Sequence, residues 1–213
     1  MTPSQFRDRL QERADLARVA IGDDAIDKLE AYYHLLRQWN RTINLTALPL
    51  DSLEDEAVDR MLVEPVAAAR QMRDSVREWF DLGSGGGSPA IPMRIVRPAG
   101  RLTLIEARSR KAAFLREVAR ELTLGDVVVV ADRFETVAMR PELAGTADLI
   151  TVRAVRVDAA LFDAARRLSK PSADLFLFVT RGAPLPSSSK FLPSRVEVLL
   201  PWRESELVVQ TAA

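Results

Sequence analysis

A chain of 213 residues has the length of one domain with a small appended piece. Its 47% apolar and 28% charged residues are an ordinary globular mixture, and a formal net charge of zero, 30 basic against 30 acidic residues, argues against a generally basic nucleic-acid binder while leaving room for a local basic face. The absence of cysteine excludes disulfides and thiolate metal sites, the single histidine, His34, cannot build a histidine metal site, and no apolar run approaches the ~20 residues of a membrane span, so a cytoplasmic protein with no membrane and no metal is expected.

The N-terminus, MTPSQFRDRLQER, is polar, with no signal-peptide apolar region. From Ser4 to about Arg77 the chain reads as helices. Ile26, Leu29, Tyr33, Leu36 and Asn40 recur at helical spacing, Trp39 and Ile43 flank the same face, and Asp23 and Asp24 can cap its start. His34 sits among these apolar residues and reads as structural. Tyr32, Tyr33, Trp39 and Trp79 could stack on a flipped base, with Trp39 and Trp79 the better candidates for core.

From Trp79 onward strand-like and helix-like segments alternate. WFDLG is a short strand, AIPMRIV a helix, RLTLIEA a strand. RSRKAAFLREVARELT is a helix with Ala113, Phe114, Val118 and Leu122 inward. DVVVVA is a strand too continuously apolar for an edge. ADLITVRA is a fourth strand, VDAALFDAARRL a helix and DLFLFVT a fifth strand. GAPLPSSSKFLP (182–193) is a loop, and RVEVLLPW with ELVVQTA forms a closing antiparallel pair. The alternation predicts a doubly wound, mostly parallel α/β sheet with helices on both faces. Residues 1–77 form a helical N-terminal region packed on the core, and 78–213 a Rossmann-like domain, the whole a single compact unit.

Gly83-Ser84-Gly85-Gly86-Gly87 follows the first strand and precedes a helix, with Asp81 just before it. Glycines permit positive φ and close approach of a ligand, and the helix beyond presents free N–H groups. Glu106, at the end of the second strand, is placed to accept both ribose hydroxyls of an adenosine cofactor. The strict dinucleotide spacing is broken, because Ser88 or Ala90 stands where the third glycine belongs. A pyrophosphate is thereby disfavoured, and the looser D-x-G-x-G-x-G form of DLGSGGG points to S-adenosylmethionine, whose sulfonium carries no phosphate. A ligand-free tight turn is the bland alternative.

With these residues in view, the chain resembles the RsmG (GidB) family of 16S ribosomal RNA guanine-N7 methyltransferases. The likeness is carried by LLRQWNRTINLTAL (35–48), FDLGSGGGSPAIPMRIVRP (80–98), LTLIEARSRKAAFLREVARELTL (102–124), DRFE (132–135) and ITVRAV (150–155). The resemblance implies a class I methyltransferase sheet, S-adenosylmethionine as cofactor, and ribosomal RNA or the small-subunit particle as partner of a monomer. It implies cofactor contacts at Asp81, Gly83, Gly85 and Ser88, ribose binding by Glu106, and adenine-side contacts from Phe134 and Glu135. Arg153 would face the methionine moiety and the target base, the one catalytic candidate. Arg110, Lys111 and Arg133 match basic positions that could meet RNA phosphate.

The chain departs from the family's His-x-x-Asp-Ser segment, where Met61, Glu64 and Pro65 stand, and has Ala90 and Arg181 at two further cleft positions. Another substrate, RNA or small molecule, or a non-catalytic cofactor-binding module therefore stands beside the leading assignment. A nicotinamide-dependent oxidoreductase is more distant, because of the glycine spacing.

Overall fold

A computed structural model describes residues 3–184 and 187–213. Residues 185 and 186, inside the expected 182–193 loop, lie outside the described residues. The chain opens with α1 (Pro3–Leu16) and α2 (Asp23–Asn40), then a helix in three parts: α3 (Asp55–Val58), a π-helical turn (Asp59–Val63) and α4 (Glu64–Ala69). The alternating region follows as β1 (Glu78–Leu82), α5 (Ala90–Val96), β2 (Arg101–Ile105), α6 (Ser109–Glu121), β3 (Val127–Val130), α7 (Phe134–Val137), β4 (Ala147–Arg153), α8 (Ala159–Leu168) and β5 (Ser169–Thr180). The strands β6 (Phe191–Val198) and β7 (Ser205–Ala212) close it.

One sheet of seven strands runs in the order β3-β2-β1-β4-β5-β7-β6. Strands β1 to β5 pair in parallel, and β7 lies antiparallel between β5 and β6. This is the doubly wound, mostly parallel arrangement that the alternation implies. Strand order reverses between β1, with β2 on one side, and β4 on the other, so the crevice opens above the carboxyl end of β1.

Alternation along each strand splits the apolar side chains between two cores. Trp79, Leu102, Leu104, Leu149, Phe176, Leu207 and Val209 pack with the helices of the N-terminal region, α5 and α6. Phe80, Leu82, Ile105, Ile150, Val152, Leu175 and Val208 pack on the other face with α7 and α8. Phe6, Leu10, Leu29 and Leu36 belong to the same continuous core as the sheet residues of the first face.

Five local expectations are corrected. Strand β3 is an edge, with Val128 40% exposed: Val127 and Val129 turn toward α6 and Val130 toward the other face. Ala113 is exposed, and Ala112 and Leu115 take the inward positions of α6 beside Phe114 and Val118. Gly22, not Asp23 or Asp24, is the N-cap of α2 and no side chain caps it, because Asp23 accepts from Arg7 Nη1 at 2.7 Å. Phe191, the start of β6, already lies within the expected loop, and β5 begins at Ser169, ahead of DLFLFVT.

Beneath the sheet, Arg94 is 3% exposed and closes the amino ends of β2 and β3. Its Nη1 donates to Ala99 O at 2.9 Å and Gly100 O at 2.6 Å, and its Nη2 donates to Gly125 O. Arg94→Met would leave three carbonyls without that donor, and hydrogen bonds to charged groups contribute roughly 1.5–3 kcal/mol each at best. The expected loss is about 3 kcal/mol of folding stability. Urea unfolding checks it, and a change under 1 kcal/mol would show the guanidinium to be dispensable.

Candidate active site

The turn after β1 forms the floor of a cleft of about 550 Å³ lined by Gly83, Gly85, Gly86, Ser88, Glu106, Lys111 and Arg153 among others. Gly83 has φ +75°, and a Cβ there would lie 2.4 Å from Val155 Cγ2; Gly87 has φ +88°, and its Cβ would lie 2.8 Å from Ile91 Cγ1. Only glycine gives both the left-handed backbone and the close approach. The turn is also held from the N-terminal region, where the buried Tyr32 hydroxyl donates to Gly86 O at 2.6 Å. Burial pushes that phenol's pKa up, so it stays a donor across physiological pH.

Glu106 is 8% exposed and stands at the cleft wall. Gly85 N–H donates to its Oε2 and Arg108 N–H to its Oε1, each at 2.8 Å. Each carboxylate oxygen keeps a further lone pair. The group is therefore fixed in orientation by the backbone while retaining acceptor capacity on both oxygens, as a vicinal diol requires.

Asp81 lies behind the turn, 1% exposed and outside the cleft lining. Trp79 Nε1 donates to Thr151 Oγ1 at 2.9 Å, and Thr151 Oγ1 donates to Asp81 Oδ1 at 2.5 Å. The Ser84 hydroxyl donates to Asp81 O at 3.1 Å. Desolvation pushes the Asp81 carboxyl up to about 6, although Thr151, Ser84 and Arg153 act the other way. In this structure Asp81 braces the strand end and does not reach the cleft surface.

Arg153 ends β4, with a side chain 12% exposed. Its Nη1 donates to Arg60 O at 2.5 Å and lies 3.7 Å from Glu64 Oε2, and its Nη2 lies 3.8 Å from Met61 Sδ. Burial lowers its pKa while Glu64 raises it. Ala154, at φ 56°, turns the chain immediately afterwards, a backbone that costs a non-glycine residue roughly 1–2 kcal/mol.

The structure thus brings Gly83, Gly85, Ser88, Glu106, Lys111 and Arg153 to one cleft. Arg110 is exposed on α6 beside Lys111, whose ammonium is lowered by burial and raised by Glu106. Phe134, Glu135 and Arg133 do not line it: Phe134 packs against the second core, and Arg133 Nη2 lies 3.6 Å from Glu135 Oε1. The aromatic candidates are committed elsewhere. Tyr32, Tyr33 and Trp79 are buried, and Trp39 packs on Phe114 and donates to Glu117 Oε1. His34 lies 3.4 Å from Glu30 Oε1, outside the cleft lining. Among the described residues, no group of three or more His, Asp or Glu side chains comes together to hold a metal ion, and no helix is long and apolar enough to cross a membrane.

Met61, a departure from the family pattern in the sequence, does line the cleft. Several other cleft residues carried no site assignment in the sequence: Arg60, Arg108 and Val155 line it, as does the segment from Asn44 to Leu48. Asn40 shapes that segment: its Oδ1 accepts from Leu45 N–H at 2.8 Å and Thr46 N–H at 3.0 Å, and its Nδ2 donates to Thr46 O at 3.1 Å. The signal was the amide at the end of an apolar helical stripe, followed by Asn-Leu-Thr.

The family model described as rRNA small subunit methyltransferase G (GidB) matches residues 25–183. A curated relative named ribosomal RNA small subunit methyltransferase G, from Pseudomonas aeruginosa, is 39% identical over 137 residues, 63% of this chain and 60% of that protein. The protein of the same name from Neisseria gonorrhoeae is 39% identical over 145 residues, 67% of this chain and 65% of its own. The match thus spans about 60% of the length of such relatives. Among solved structures, a SAM-dependent methyltransferase from Aquifex aeolicus superposes with a TM-score of 0.57 at 16% identity, covering 76% of this chain and 95% of its own. Precorrin-6y C5,15-methyltransferase from Geobacter metallireducens gives 0.52 at 13%, covering 79% and 100%. At these identities the likeness is one of fold, that of the class I methyltransferases.

Asp81 generates a pH prediction. Its native pKa of about 6 is above the ordinary 3.8, so the native chain holds this proton more tightly than the unfolded chain. The associated stability is complete below about pH 4 and is lost as pH rises through about 6, an effect on the order of 3 kcal/mol. Asp81→Asn, which can still accept from Thr151, flattens that decline. Urea midpoints at pH 4.5 and 7 check it; parallel profiles for the two proteins would refute it.

Proposed function

The chain belongs to the rRNA small subunit methyltransferase G family, and on that premise we propose that it is an S-adenosylmethionine-dependent methyltransferase acting on N7 of a guanine in 16S ribosomal RNA. The observation that carries this is Glu106, a buried carboxylate oriented by Gly85 and Arg108 N–H groups over a glycine floor.

The residues fit the cofactor. Glu106 offers two oriented acceptors for the ribose hydroxyls. Gly83, Gly85 and Gly86 line the cleft with backbone and no Cβ of their own, which lets the nucleoside approach closely. Arg153, at the opposite wall, would meet the methionine carboxylate and the incoming base. Ser88 and Asp81 would hold the turn around the methionine part. Phe134 and Glu135 begin the short helix after β3, the strand end next to Glu106, and would make adenine-side contacts there. When bound, S-adenosylmethionine supplies an electrophilic methyl group on a sulfonium.

Guanine N7 is already a nucleophile, so what the chain must do is align it and exclude competing water. A proton acceptor is not needed for that step. Arg60, Arg108 and Lys111 line the cleft and Arg110 is exposed beside it, a basic rim suited to backbone phosphate on an otherwise neutral protein. Arg133 would extend the rim beyond β3. We place the protein in the cytoplasm, as a monomer, with ribosomal RNA or the small-subunit particle as partner.

Glu106→Gln tests the reading. The amide would set its own N–H₂ against a backbone N–H and lose one charged acceptor, an effect of about 10-fold or more in affinity. Calorimetric titration of S-adenosylhomocysteine should show that weakening; unchanged affinity would sink the cofactor assignment. Transfer of labelled methyl into 16S RNA from a deletion strain tests the substrate. Cofactor binding without N7-methylguanine would redirect the assignment to another substrate or to a non-catalytic module.

A further inference from the structure

The helix leading into β1 changes type at a place its residues explain. Glu64 N–H bonds to Asp59 O, five residues back instead of four. Pro65 has no N–H. Glu64 N–H, the α-helical partner of Arg60 O, is taken by Asp59 O, and Pro65 offers no N–H to Arg60 O in the π register or to Met61 O in the α register. Both are taken up by cleft side chains: Arg60 O accepts from Arg153 Nη1 at 2.5 Å, and Met61 O accepts from Ser88 Oγ at 3.0 Å. Glu64, 1% exposed, places Oε2 3.7 Å from Arg153 Nη1, and that oxygen has no hydrogen bond among the described residues.

The start of the turn is fixed from outside. Asp59 is fully buried and accepts from Arg13 Nε and Nη2 at 2.8 and 2.6 Å, from Trp202 Nε1 at 2.8 Å and from Arg203 Nε at 2.7 Å. Arg13 also lies over the Trp202 ring, 5.0 Å from its centroid. Burial favours the neutral acid here, yet these donors hold the Asp59 carboxyl below its ordinary pKa. Arg13, Trp202 and Arg203 all lie outside the matched span of residues 25–183.

We propose that Asp59, Pro65, Trp202 and Arg203 are positioning residues for Arg153: they hold the π-turn in the register that aims Arg60 O and Glu64 at the guanidinium, so the β6–β7 loop sets the cleft wall. The proline releases the carbonyls and the aspartate hub prevents the turn from rewinding. Arg153 is then anchored on the turn through Nη1 and presents the rest of a fixed guanidinium plane to whatever enters the cleft.

Nitrogen-resolved NMR of the full chain tests this, with Arg153 assigned through Arg153→Lys. A guanidinium anchored at Nη1 and packed at Nη2 rotates slowly about its Cζ–Nε bond and shows separated Nη signals. Separation is expected in the wild type and collapse in Pro65→Ala and in the double variant Trp202→Phe, Arg203→Gln. Trp202→Phe alone keeps an aromatic ring and the Arg13 and Arg203 bonds, so it is the folded control if the double variant unfolds, and its Arg153 signals should broaden. The turnover arm rests on the proposed methyl transfer, whereas the spectroscopic arm does not. In turnover, kcat should fall about 10-fold with the cofactor KM within about twofold, as for a misplacement below 1 Å. A wild type without slow Arg153 signals, or folded variants that keep them separated, would overturn the proposal.

Discussion

Pro65 sits in the middle of a helix without a proton on its nitrogen, and the wall of the cleft follows from that deficit. A helix interior accepts such a residue only by giving up a hydrogen bond and opening locally. Here the opening is a π-turn from Asp59 to Val63, and the carbonyls it exposes are satisfied by Arg153 and Ser88. Buried carbonyls must find donors somewhere. The same few residues therefore join the N-terminal helices to β4, to the glycine turn and, through Asp59, to the loop between β6 and β7.

Three buried carboxylates around this region illustrate how environment sets role. Asp59 is ringed by Arg13, Trp202 and Arg203, which offset its desolvation and keep it charged. Asp81 has hydroxyl donors and a more distant arginine, too little to offset full burial, and its pKa rises to about 6. Glu106 is held by two backbone N–H groups and still faces open space. A structural anchor, a titratable brace and a carboxylate facing the cleft thus share one chemistry and differ in their donors.

Much of the fold was legible because parallel strands and their helices announce themselves locally. AIPMRIV is helix α5 at both of its ends, and the closing antiparallel pair is β6 with β7. The failures share a cause. DVVVVA looks central because its composition suits a strand covered on both faces, but which strand ends a sheet depends on neighbours far away in sequence. Ala113 lies beside the correct stripe, one position off, a phase error that small residues make easy. The core reading of Trp79 holds, whereas Tyr32, a stacking candidate, is committed to Gly86 O by a contact more than fifty residues away.

The sequence by itself determined the glycine turn, the acidic residue after β2 and the arginine at the end of β4, because each depends on position relative to a single strand end. It also determined the family, through segments whose order along the chain is their signature. Only the tertiary structure decided what those residues touch. That Glu106 keeps two open acceptor positions, that Asp81 faces away from the cleft, and that Arg153 is held by carbonyls released at Pro65 are outcomes of packing between elements distant in sequence. Local patterning sets where a side chain starts; the donors and acceptors that reach it are set by the rest of the chain.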